Sequence, residues 1–154
     1  MAVIRDPTAL PGRRGTVYPA PFDAGFDGRL KRPLTEALGL TQFGVNVTTL
    51  APGAMSAQRH WHANEDEFVY VLSGSLTLVT DAGEQVLTAG MAAGFPHGVA
   101  DGHCLVNRTN AAATYLEIGT RCKDDDATYP DIDLVGAKRD GRYKFTAKTG
   151  EPYP

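Results

Sequence analysis

Two cysteines, Cys104 and Cys122, are all that the 154 residues hold. They make no disulfide framework, so the fold must rest on a packed core, and a reducing, cytoplasmic setting is expected. No apolar stretch reaches membrane-spanning length, and the opening MAVIRDPTALPGRRG has no hydrophobic region of the signal-peptide kind. A membrane partner is therefore not expected. Charge of one sign is equally scarce. The net charge is −3, and the basic residues fall in scattered pairs (Arg13 and Arg14, Lys31 and Arg32, Lys138 and Arg139), which speaks against nucleic acid as a partner. Long helical periodicity is missing, and the best helix candidate, RPLTEALG from Arg32 to Gly39, makes about two turns. Phosphate-cradling glycine loops, G-x-S-x-G elbows and aromatic-basic platforms do not occur.

What is present is the punctuation of a β protein. Seventeen glycines and ten prolines fall between short runs of Val, Leu, Thr and Phe. QFGVNVTTL, from Gln42, alternates Phe43, Val45 and Val47 with Gly44, Asn46 and Thr48, the period of a half-buried strand. FVYVL, SLTLVT, QVLT, HCLVNRT and TYLEIGT follow with turns between them. The expected architecture is all-β, a small antiparallel barrel or jelly roll in one domain. Residues 1–41 read as an N-terminal arm, 42–121 as the barrel core and 122–154 as a tail. In the tail KDDDATYPD reads as an acidic linker, and Asp140-Gly141 as the turn of a hairpin. The arm, rich in Gly and Pro, could add a strand to a neighbour's sheet and so favours a homodimer.

The chemistry concentrates in RHWHANEDEF. On an extended chain His60 and His62 share a face while Trp61 points away. Two adjacent imidazoles fill a core poorly, because their nitrogens need partners, and together they invite a cation. A carboxylate just beyond can complete a site for a first-row divalent ion, although Glu65, Asp66 and Glu67 are all placed to do so. The plainer reading is a polar strand end with surface histidines. His103, far along the chain at a strand start, adds a third imidazole.

With these residues in view the chain resembles a cupin, in particular the small single-domain bacterial cupins. One motif reads His60-x-His62-x4-Glu67-x6-Gly74, the other Gly90-x5-Pro96-x-Gly98 followed by His103-x3-Asn107. The resemblance implies that His60, His62, Glu67 and His103 are the ligands of one divalent metal ion such as Fe, Mn, Ni or Zn, with open positions for a small-molecule substrate. Three departures stand out. Gly53 is one residue farther from His60 than is usual, four residues rather than two separate Gly98 from His103, and Met91 stands where cupins carry an acid.

Beyond the ligands, His97, Tyr115 and Glu117 are the candidates for a catalytic acid or base, with a solvated turn residue the alternative for His97. Leu116 and Ile118, on the other face of that strand, are expected in the core, and Cys104 as a buried thiol. Similar cupins include dioxygenases, sugar or sugar-phosphate isomerases and non-catalytic sensors. The sequence favours them in that order, because no basic cluster facing the barrel mouth can be read from it.

Overall fold

The computed structural model describes residues 2–153. Twelve strands and almost no helix make it up: β1 (Arg29–Pro33), β2 (Phe43–Leu50), β3 (Trp61–His62), β4 (Glu67–Ser73), β5 (Ser75–Thr80), β6 (Gly83–Thr88), β7 (Ala92–Phe95), β8 (Cys104–Val106), β9 (Ala113–Thr120), β10 (Asp125–Tyr129), β11 (Leu134–Arg139) and β12 (Arg142–Thr146). One helical turn, α1 (Thr35–Leu38), ends at Gly39 in the left-handed conformation, as its sequence suggests, while Pro33 belongs to β1. No helix among the described residues is long and apolar enough to cross a membrane. Every ladder is antiparallel. The sheets run β1-β2-β9-β4-β7, β12-β11-β10-β3 and β6-β5-β8.

Local chemistry fixes the corners. Gly74 turns β4 into β5 with φ at 77°, and a Cβ there would lie 2.8 Å from the Ala113 side chain, so only glycine fits. Asn107 is fully buried and saturates its amide, donating to the carbonyls of Leu50 (2.9 Å) and Ala111 (2.8 Å) while accepting from Thr109. Met91 replaces the usual acid by offering its sulfur to the Thr88 N–H at 3.3 Å.

Two apolar clusters hold the layers. The larger packs Leu50, Val71, Leu76, Leu78 and Leu105 between the sheets. The smaller joins Ala127, Tyr129 and Leu134 to Tyr18 and Phe22 of the arm and Phe145 of the tail. Tyr18 meets Tyr129 edge-on at 5.5 Å. The arm therefore packs on its own chain rather than reaching away from it, and Arg13 pairs backbone to backbone with Lys31. The stretch expected as an acidic linker is β10. Asp125, Ala127 and Tyr129 are buried in alternation, and β10 pairs with β3 through Ala127↔His62 and Thr128↔Trp61.

One end of the five-stranded sheet packs Leu50, Val69, Val71 and Ala113 inward on the core, but the other end is polar inside and carries an apolar row outside, the reverse of what that row suggests. Phe43, Val45 and Val47 register with Thr120, Ile118 and Leu116, and these with Phe68 and Tyr70, on the outer face. Phe43, Phe68 and Tyr70 are about two-fifths exposed there, and Leu72 is 48% exposed. Val45 is buried where α1 bonds to β2. Leu116 and Ile118, expected in the core, are only half-buried. Asn46, Tyr115, Glu117 and Glu67 point the other way, into a cavity, and the lining of that cavity is the reason for the inversion.

Candidate metal centre

The site is built from strand ends. β3 is two residues long, held by β10 on one side, and the preceding His60 bridges to His103 at the start of β8. This short extended run puts His60 and His62 on one face, ring centroids 4.9 Å apart. Glu67 opens β4 with the inward parity of Val69 and Val71. The ring of His103 stacks on Phe95 at 3.6 Å, which fixes its plane.

All three histidines present Nε2 to one oxygen. Glu67 Oε2 lies 3.7 Å from Nε2 of His60, 3.6 Å from that of His62 and 2.9 Å from that of His103. Each Nδ1 faces an acceptor instead: the Gln58 carbonyl at 2.7 Å, the Asp125 carboxylate at 2.5 Å and the Asp101 carbonyl at 3.2 Å. Those acceptors keep the proton on Nδ1 and turn the Nε2 lone pairs inward. For His103 both nitrogens meet acceptors, which a neutral imidazole cannot satisfy together. Inward lone pairs facing a carboxylate are what a cation between them would reconcile, so the donor set is compatible with a divalent first-row ion. The four-residue loop before His103, unusual in length, supplies the Asp101 carbonyl.

Burial pushes His60 down to about 4, against the pull of Glu67. Burial works to raise Glu67, but the His103 hydrogen bond and the surrounding imidazoles outweigh it and hold the carboxyl at about 2. The sign of both effects on stability is the same. Between pH 6.5 and 4 the unfolded chain binds the proton that folded His60 refuses, and between 4.5 and 2 it protonates Glu67 first. The metal-free protein is thus expected to lose stability on acidification from about pH 6.5 downward. Urea midpoints taken at pH 8, 6 and 4.5 check this, and a midpoint that rises toward acid would contradict it.

Asp125 escaped the sequence reading. It is fully buried and accepts from His62 Nδ1, the Asn64 N–H (2.8 Å) and Tyr143 Oη (3.4 Å). Burial works to raise its pKa, but the bonds from His62 and the Asn64 N–H outweigh it and hold it below its ordinary value. The alternation Asp125, Ala127, Tyr129 was the available signal. Glu65 also comes within 4.8 Å of His62 and Asp125, but its Oε1 is taken by Lys138 Nζ at 2.6 Å and the Cys122 N–H at 2.8 Å. Cys104 is buried, its thiol pushed up to about 11 by desolvation.

A cavity of about 570 Å³ opens over Glu67 along the inner face of the five-stranded sheet. Tyr115 and Glu117 line it. Glu117 Oε1 accepts from Lys31 Nζ at 2.5 Å and Asn46 Nδ2 at 2.9 Å, and Oε2 accepts from the Tyr115 hydroxyl at 3.1 Å. Burial, with Glu117 beside it, raises Tyr115 well above its ordinary pKa, so its proton stays on. His97 is elsewhere. It is 59% exposed, bonded through both N–H and Nδ1 to Asp66, and lines no part of the cavity. Arg59 points away as well, its guanidinium forked onto Asp131.

The chain is similar over 98% of its length, at 44% identity, to a sugar phosphate isomerase of the cupin superfamily from Silicibacter pomeroyi, covering 96% of that protein with a TM-score of 0.94. It belongs to the cupin superfamily. The cupin-domain family profile matches residues 46–119 of this cupin. A candidate sugar phosphate isomerase from Acidithiobacillus ferrooxidans superposes with a TM-score of 0.79 at 27% identity, over 92% of this chain and 88% of that one. The polyketide cyclase RemF from Streptomyces resistomycificus, at 22% identity and a TM-score of 0.62 over 78% and 80% of the two chains, shares the jelly-roll-like fold. No curated protein matches this cupin.

Proposed function

We propose that this cupin is a metal-dependent isomerase acting on a small phosphorylated sugar. The observation that carries the reading is the hydrogen-bonded wall of Lys31, Asn46, Tyr115 and Glu117 on the same sheet face as Glu67. His60, His62, Glu67 and His103 would hold the ion, and Asp125 would orient His62. An ion so held supplies a Lewis acid for the adjacent carbonyl and hydroxyl oxygens of an open-chain sugar. The chain's own residues do the rest. Val69↔Glu117 and Glu67↔Gly119 are neighbouring register pairs, so the two carboxylates are diagonal neighbours across the gap that Gly119 leaves. Oε2 of Glu117 has accepted only the Tyr115 hydroxyl, which leaves it free to take a proton.

Glu117 takes the proton from the carbon beside the carbonyl and returns it to the former carbonyl carbon, while the hydroxyl proton passes between the two oxygens. Aldose and ketose then interconvert with no change in atoms or electrons. Two solved relatives described above support this, one named a sugar phosphate isomerase and one a candidate for that activity. The wall, together with these relatives, moves the reading from the dioxygen chemistry that the sequence favours to isomerisation, which needs a carboxylate base beside the metal cluster.

The test is incubation of metal-loaded protein with aldose and ketose phosphates in deuterated water, followed by NMR. Deuterium at the carbon beside the carbonyl, with appearance of the isomer, is expected. No exchange on any sugar phosphate, or oxygen consumption in its place, would overturn the reading.

A further inference from the structure

The cupin span 46–119 holds His60, His62, Glu67, His103, Tyr115 and Glu117, but none of the Arg or Lys residues that line the cavity. Arg13, Arg14, Arg29 and Lys31 come from before it, and Arg121 and Lys138 from after it. Six basic side chains face three acidic ones, Glu65, Glu67 and Glu117, in a chain whose net charge is −3. The flanking segments have therefore concentrated positive charge at one place.

Most of that charge is already engaged. Lys138 pairs with Glu65, Arg29 donates to the carbonyls of Ser56 (2.5 Å) and Gly15 (2.6 Å), and Arg14 to that of Asp27 (2.8 Å). Arg13 has no side-chain hydrogen bond or ion pair among the described residues, and it is exposed. Its backbone and that of Lys31 exchange two hydrogen bonds, of 2.8 and 2.9 Å. Directly opposed residues of an antiparallel pair share a face, and Lys31 reaches Glu117 in the cavity. Arg13 is thus on the cavity side of the arm. Lys31 keeps donors to spare beyond its bond to Glu117.

Arg121 approaches from the other side. Its Nε would lie 3.6 Å from a Cβ on Gly44, and Gly44 pairs with Gly119, which pairs with Glu67. A strip without side chains therefore runs from Arg121 to the metal cluster. The ion partner of Arg121 is Glu36, itself 60% exposed, at 2.7 Å, so an incoming anion can replace it. Arg13, Lys31 and Arg121 line the same cavity, and guanidinium groups converging on one space suit a phosphate, whose oxygens accept several charge-assisted hydrogen bonds at once.

We propose that Arg13, Lys31 and Arg121 form a phosphate subsite at the cavity mouth, added to the cupin core by the segments on either side of it. The chemistry recognised is a phosphate dianion. That it belongs to the substrate ester, rather than to free phosphate, rests on the isomerase reading above.

The experiment is calorimetric titration of the intact, metal-loaded protein with inorganic phosphate. Wild type is compared with the Arg13→Ala/Arg121→Ala double variant and with Arg13→Lys/Arg121→Lys, which keeps the charge. Any contact of phosphate with the ion is common to all three proteins. Phosphate affinity is expected to fall about tenfold or more in the alanine variant and to be partly kept in the lysine variant. With a phosphorylated sugar as titrant, the same loss, together with competition by inorganic phosphate, would assign the ester to this subsite. Undetectable phosphate binding to wild type, or equal affinity in wild type and alanine variant, would overturn the proposal. The two readings separate cleanly: phosphate affinity lost in the alanine variant of a protein that isomerises nothing upholds the subsite and removes the isomerase. Isomerisation of neutral sugars without phosphate binding does the reverse.

Discussion

Glu117→Gln is expected to lower kcat for sugar-phosphate isomerisation by about two to four orders of magnitude, the span that a positioned acid–base group contributes. Glutamine keeps the shape, and its one carbonyl oxygen still accepts from Lys31 and Asn46 while its amide group donates to the Tyr115 oxygen, but it cannot carry a proton between two carbons. The fold should tolerate the change. Lys31 loses the charge of a largely buried partner, with 32% and 21% of the two side chains accessible, but keeps a hydrogen bond to the amide oxygen, which limits the cost to about 1–3 kcal/mol. Deuterium exchange into substrate must fall with kcat if the residue touches the reacting carbon. A KM that rises while kcat stays within tenfold would make Glu117 a positioning residue that only holds hydroxyls.

Asp125→Asn is expected to weaken metal binding about 10- to 100-fold, although Asp125 is not itself among the four converging groups. Asparagine offers one acceptor where the carboxylate serves His62, Asn64 and Tyr143. If its carbonyl keeps the Asn64 N–H, its amide group faces His62 Nδ1 and favours the tautomer whose Nε2 carries the proton. That ring cannot present a lone pair inward. Asp125→Ala goes further, leaving buried donors unserved at a cost of about 1–3 kcal/mol for each one that water does not reach. Competition against a chelator measures the affinity, and urea unfolding of the metal-free protein measures the stability. Equal affinity in wild type and Asp125→Asn would show that His62 is held by its strand alone.

The four converging residues were legible because spacing survives folding. His60-x-His62 fixes a shared face on any extended chain, and the motif picks out Glu67 where three acids compete. What eluded the sequence has two physical causes. Period-2 alternation says that a strand has two unlike faces, but not which one looks inward. For β2 and β9 the cavity inverts the usual answer, sending Asn46, Tyr115 and Glu117 in and Phe43, Leu116 and Ile118 out. The second cause is long range. Arg13 and Lys31 read as members of two solvated pairs, and Asp125 as one of a run of acids. Arg13 meets Lys31, and Asp125 meets His62, only once the arm and β10 have docked.

That docking has a consequence for how the protein is made. His62 receives its neighbouring strand and its Nδ1 acceptor from Asp125–Tyr129, more than sixty positions downstream. While a ribosome is still adding the intervening strands, His60, His62 and Glu67 are already in the chain, but nothing fixes their rings. If the site holds an ion, as proposed, its capture in the right geometry would have to wait until β10 has emerged and paired. In a cell that holds several competing metals, such a delay would make the unfinished chain a poor trap for the wrong one.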